Sequence, residues 1–211
     1  MAGARLVLRT RGLRALVGTQ ALLNLLLPPL VVAMPFVITD VWLLSADYFG
    51  YLFGAVLAGG VTGFLLFSRG SLSPRGEARA YRVAIPLLVT ALVALSALAA
   101  GGATGSGSTL LLFGAMFVAG GSVGVTHMIG VTVLQRTTAP GLRGRVFAAL
   151  EMLTALLLPA AYAVSGIVVE ALRDRPGLIF LLVAACGAAL GIAVLLNREL
   201  RALIELRADA A

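Results

Sequence analysis

Few side chains in this chain can do chemistry, and those few are spread along long apolar stretches. Gln20 and Asn24 stand one turn apart, so on a helix they share a face. Their amides can hydrogen-bond a substrate, or they can bond a neighbouring helix, which is worth about 0.6 kcal/mol per contact in lipid. His127 is the single histidine, and it lies roughly 13 Å along a helix from Arg136 at the usual rise. Gly120, Gly124, His127 and Val131 fall on one face. An ionisable group at that depth is a functional candidate, and an imidazole titrates in the range a proton relay needs. The alternative is a neutral ring bonded to the next helix. Glu151 lies roughly 9 Å beyond Arg145. Unpaired burial would cost it a few kcal/mol, so it belongs near an interface or a wet cavity. It is the second proton-coupling candidate, with pairing to a loop arginine as the structural alternative.

Other patterns lead nowhere chemical. Gly120-Gly121-Ser122-Val123-Gly124 matches the hydrolase pattern of glycine, any, serine, any, glycine, but that motif works at a strand-to-helix turn. Here it lies inside an uncharged helical run, where Ser122 and His127 point about 140° apart. Cys186 is the only cysteine, so no intrachain disulfide forms and no metal-ligand spacing exists. No catalytic residues, cofactor or metal are expected, and the chain is not read as an enzyme.

The elements that must carry these residues follow from composition. Of 211 residues, 60% are hydrophobic and 12% charged, and the mean hydropathy is +1.04. Soluble domains carry about 25% charged residues, so the chain belongs to the membrane class. About 20 apolar residues cross a bilayer as a helix. Uncharged runs place spans at 15–39, 48–68 and from 83, with 101–108 (Gly101 to Ser108) breaking the long stretch into a third and a fourth span. A fifth runs over about 146–169 and a sixth over 176–197. The fold class expected is therefore an all-α membrane protein of six transmembrane helices. A β-barrel is excluded because the runs do not alternate. A basic segment at 1–14, lying on the membrane surface as a short amphipathic helix, precedes the 15–197 domain, and a charged tail fills 198–211.

All 16 basic residues are arginine, and the net charge is +7. The N-terminus, second loop, fourth loop and tail hold 4, 4, 3 and 3 of them, and the remaining loops hold 2. That asymmetry puts both ends in the cytoplasm. The charge does not read as nucleic-acid binding, because no basic face is interleaved with aromatics. Trp42, Tyr48 and Tyr51 lie where an aromatic belt would sit. The glycine pairs Gly50/Gly54, Gly59/Gly63, Gly120/Gly124 and Gly187/Gly191 allow helix backbones to approach closely. Pro28, Pro29, Pro35, Pro86 and Pro159 can kink their helices.

The fourth loop reads Leu134-Gln135-Arg136, then Ala139-Pro140, then Leu142-Arg143-Gly144-Arg145-Val146-Phe147. It resembles the stretch before the eleventh helix of major facilitator superfamily transporters of the enterobactin-exporter and macrolide-efflux branch. Leu22-Leu23-Asn24-Leu25 with Pro35-Phe36-Val37 is similar to the seventh helix, and Phe49-Gly50 with the glycines up to Gly63 to the eighth. The resemblance covers about 13–203 and matches the C-terminal six-helix half. It implies that the first helix lines a central cavity, making Gln20 and Asn24 substrate-binding candidates. Gly63 and Gly70 fit the family's loop motif after the second helix, but Phe67 stands where the family carries an acid. Arg143, Gly144 and Arg145 form the loop motif, with the arginines bonding helix-end carbonyls or lipid phosphates, or simply enforcing orientation. The implied function is proton-coupled efflux of small amphipathic molecules across the cell (inner or plasma) membrane. The lipid bilayer, a small-molecule substrate, and an N-terminal half or a second copy are the implied partners. The other reading is a fragment or accessory membrane protein that transports nothing.

Overall fold

The computed structural model describes residues 11–68, 74–101 and 105–196. Among them no strand occurs. The helices are α1 (Arg11–Asn24), α2 (Leu27–Phe36), α3 (Tyr48–Ser68), α4 (Pro74–Gly101), α5 (Ser106–Thr137), α6 (Arg143–Ala171) and α7 (Pro176–Leu196). A π-helical turn, Val37–Val41, extends α2, and a 3₁₀ turn, Pro140–Leu142, leads into α6. Taking α1 and α2 as one crossing, six helical stretches are long and apolar enough to span a membrane. The all-α, multi-pass expectation holds at that level. The surface helix expected at 1–14 and the tail at 198–211 fall largely outside the described residues. Arg11 and Arg14 belong to α1 itself, continuous with the first span.

Two boundaries differ from expectation for physical reasons. The first span is broken rather than merely kinked. Pro28 and Pro29 carry no N–H, so the carbonyls of Asn24 and Leu25 lose their donors four residues on. The chain turns at Leu25 and Leu26, and both prolines then sit in the first turn of α2, where a missing donor costs nothing. The third span begins at Pro74, well before the uncharged run. Glu77, Arg79 and Arg82 thus ride on the first turns of α4 instead of a loop, and Arg82 Nε folds back onto the Ala78 carbonyl at 3.1 Å.

α3 and α5 pack most closely, along the glycines. A Cβ on Gly63 would lie 2.6 Å from the Gly121 carbonyl, and one on Gly124 would lie 2.6 Å from that of Gly60. Cβ atoms on Gly59 and Gly120 would overlap the carbonyls of Phe117 and Val56. Two of the expected pairs therefore form one backbone-to-backbone seam. Gly50 and Gly54 do not join it, since nothing lies within 4 Å of a Cβ on either. Gly191 makes room for the Ile85 side chain, and Gly187 has only ordinary side-chain neighbours. α7 packs on α4, where Ser96 Oγ donates to the Gly177 carbonyl at 2.8 Å. α6 lies against α2 at the periphery, with Met152, Leu156 and Ile167 facing outward.

The buried core falls into two clusters. One, built around Trp42, Leu95, Leu112 and Phe180, fills the end that carries Asp40 and Arg173. The other, around Val17, Ile85, Val133 and Val146, fills the arginine-bearing end. Trp42 does not serve as a belt residue. It is 1% exposed, its Nε1 donates to the Leu98 carbonyl at 3.2 Å, and its ring stacks on Phe180 with centroids 6.5 Å apart. Tyr51, at 63% exposed, keeps the outward position.

Each end of the bundle carries a charge clasp. At the arginine-bearing end, Arg136 on α5 holds both oxygens of Glu77 on α4 at 2.8 Å, and the Glu77 side chain is 9% exposed. At the other end, Arg173 reaches Asp40 at 3.4 Å and Glu170 at 3.8 Å, and its guanidinium lies 5.1 Å above the Phe36 ring.

Candidate functional site

Several polar residues gather beside the break between α1 and α2. Gln20, on the last turns of α1, is 3% exposed. Its Nε2 donates to the His127 carbonyl at 3.4 Å. The amide fits there because position 130 is glycine, where a Cβ would overlap the Gln20 amide. Asn24, half-buried, ends α1 one turn further on. Thr126 lies opposite on α5, its Oγ1 donating to the Ser122 carbonyl at 2.6 Å. These residues and His127 line a cavity of about 40 Å³, otherwise walled by Leu, Val and Thr126's helix neighbours. The cavity separates the two core clusters along α1, α4 and α5.

His127 has a second exposure. It is exposed and also lines a groove of about 830 Å³ that runs along α2, α3, α4 and α5. Phe49, Phe53, Leu57, Phe64, Leu92 and Met116 set its character, and Thr132 and Gln135 lie toward its arginine-bearing end. Among the described residues, no acidic or basic residue other than His127 lines either space. The groove can take up an apolar or amphipathic molecule of drug size, with the imidazole as its polar handle.

Three of the sequence candidates, Gln20, Asn24 and His127, line the same cavity. Glu151 lies apart. That residue is exposed on α6, lines neither space and has no ion-pair or hydrogen-bond partner among the described residues. Arg143 is a helix-end clamp, its Nε donating to the Thr138 carbonyl at 3.2 Å, whereas Arg145 is exposed and a Cβ on Gly144 would meet nothing within 4 Å. Ser122 is buried and donates to the Val118 carbonyl at 2.8 Å, so its hydroxyl is turned to its own helix and not to the imidazole. Sequence reasoning passed over Glu77, because a loop glutamate among arginines reads as a solvated charge. Its signal was the proline at position 74, which starts a helix early enough to carry the carboxylate inward. Phe67, which stands where an acid was expected, packs instead against the apolar cluster at that end.

Comparison with family models, with characterised proteins and with solved structures returned no match.

Proposed function

We propose that this chain is one six-helix half of a major-facilitator-like transporter that moves small amphipathic molecules out of the cell in exchange for protons. The observation that carries this reading is the open apolar groove of about 830 Å³ with a single ionisable side chain, His127, in its wall. Its size falls in the range of small-molecule sites, roughly 300–1,000 Å³. A bundle with one open wall needs another body to close around a substrate, so the working unit is this chain with an N-terminal half or with a second copy. Transport then proceeds by rocking of one bundle against the other around the groove. The glycine seam makes α3 and α5 one stiff plate for such motion, and the clasps Glu77–Arg136 and Asp40–Arg173 hold opposite ends. Arginine distribution supports a cell membrane with both ends of the chain on its cytoplasmic side. His127 takes and releases the coupling proton; Glu151, remote from the groove, serves at the membrane interface.

The test is dye flux in proteoliposomes under an imposed proton gradient, using a fluorescent amphipathic dye. The chain is reconstituted alone and as a covalent tandem of two copies. Gradient-driven flux by either form, lost in His127→Ala and kept in Glu151→Gln, is the expected result. Absence of flux from both forms overturns the pairing of two copies as the working unit, and flux that His127→Ala leaves intact overturns the proton role of His127.

A further inference from the structure

The open groove is graded from end to end. Three of its lining residues are polar, His127, Thr132 and Gln135, and they follow one another along one face of α5 toward the arginine-bearing end. Among the described residues the rest of the lining is apolar or glycine. From His127 to Met116, at the other end of the α5 wall, the helix rises about 16 Å at about 1.5 Å per residue. One leaflet of hydrocarbon is about 15 Å deep, half of a core of about 30 Å. The apolar stretch therefore matches the reach of one lipid chain.

Apolar walls alone select nothing in a bilayer, because lipid tails are as apolar as leucine. Selection falls to the polar end. The side chains of His127, Thr132 and Gln135 have no hydrogen-bond partner among the described residues. Thr126 and Thr137, on the same helix, give their hydroxyl protons to carbonyls four residues back, at 2.6 and 2.8 Å, and Thr132 does not. An imidazole N–H, a hydroxyl and a carboxamide can each donate to a head group that only accepts. The described lining holds no carboxylate to balance a cationic head. Arg79, Arg82 and Arg136 stand at the same end of α4 and α5, where Glu77 is already paired, so the local field also favours an anion.

We propose that the groove takes a long-chain carboxylate, a fatty-acid anion, with its head at His127, Thr132 and Gln135 and its chain lying toward Met116. Its role as the cargo rests on the transport reading; the binding itself does not.

Photolabelling tests the site. The full-length chain in nanodiscs of phosphatidylcholine is exposed to palmitate carrying a diazirine at mid-chain, and labelled residues are mapped by mass spectrometry. The label should concentrate in the groove, around Val56 and Val123. Unlabelled palmitate should displace it, and hexadecyltrimethylammonium at the same concentration should not. The double substitution Thr132→Val with Gln135→Leu should raise the concentration for half-maximal labelling about tenfold, equivalent to about 1.4 kcal/mol. Its fold is checked by helical circular dichroism, and the wild-type competition stays decisive where the double variant does not fold. Label spread evenly over the groove and the outward face of α6 at Met152 and Leu156, or equal displacement by the cationic amphiphile, overturns the proposal. Selective groove labelling without any dye flux would sink the transport reading alone; gradient-driven dye flux without groove labelling would sink this inference alone.

Discussion

Replacing Gly120 by alanine should destabilise the bundle, while the same change at Gly54, on the partner helix, should stabilise it. Both glycines lie within helices, where alanine is favoured by about 0.5–1 kcal/mol through lower backbone entropy in the unfolded chain. The surroundings decide the sign. A Cβ at Gly54 meets nothing within 4 Å, so the gain is kept. A Cβ at Gly120 overlaps the Val56 backbone, which cannot rotate aside as a side chain would. α3 and α5 must then separate along the whole seam, also loosening the contacts of Gly63 with Gly121 and of Gly124 with Gly60. Overpacking costs about 1–3 kcal/mol, and a clash with backbone belongs in the upper part of that range, about 2–3 kcal/mol, leaving Gly120→Ala about 1–2 kcal/mol less stable than the parent. The two variants should thus differ by about 2–3 kcal/mol, or about 30-fold or more in the folded-to-unfolded ratio. Reversible unfolding in mixed micelles, followed by emission of the single buried tryptophan and by circular dichroism, reads this directly. A neutral Gly120→Ala, or a Gly54→Ala that falls as far, would refute the seam as the tightest contact.

Arg136→Ala should cost about 1–3 kcal/mol, because it strands the nearly buried Glu77 carboxylate while the arginine itself is half exposed; adding Glu77→Gln should recover much of the loss in a double-mutant cycle. Asp40→Asn should change stability by less than about 1 kcal/mol, since Asp40 and Arg173 are both about half exposed. Leu43→Gly should stabilise the chain by up to about 1 kcal/mol: Leu43 holds a φ of 53°, a conformation costing a branched side chain about 1–2 kcal/mol, and its side chain is 75% exposed with little packing to lose. Lipids brominated along their chains should quench Trp42 weakly, because the ring is enclosed between protein elements; strong quenching would return it to the belt.

The spans were legible because uncharged length is a property of sequence alone, and all six crossings were placed from it, the first without its break and the third with too late a start. Helix ends were less so. Glu77, Arg79 and Arg82 are charged, yet they ride on α4, because a helix that projects from hydrocarbon meets no penalty for charge. The seam was half legible: four-residue spacing marks candidates, but only the three-dimensional arrangement distinguishes Gly59, Gly63, Gly120 and Gly124, which meet backbone, from Gly50 and Gly54, which meet nothing. Gln20 and His127 are separated by 107 positions, and what joins them is the absence of a side chain at Gly130. No periodicity encodes that. Trp42 was misplaced because an aromatic near a span end reads as interfacial, whereas the wide turn before it swings the indole inward.

That wide turn has a consequence of its own. In Val37–Val41 the Trp42 amide bonds to the carbonyl five residues back, at 2.9 Å, instead of four. Geometrically this is a single residue wedged into a helix. Everything downstream is rotated by about 100° relative to a regular continuation, at roughly 3.6 residues per turn. The indole and the Asp40 carboxylate owe their aim to that offset. A chain one residue shorter here would keep its hydropathy pattern and its six crossings, and yet aim its largest plug and its outer ion pair at the wrong neighbours.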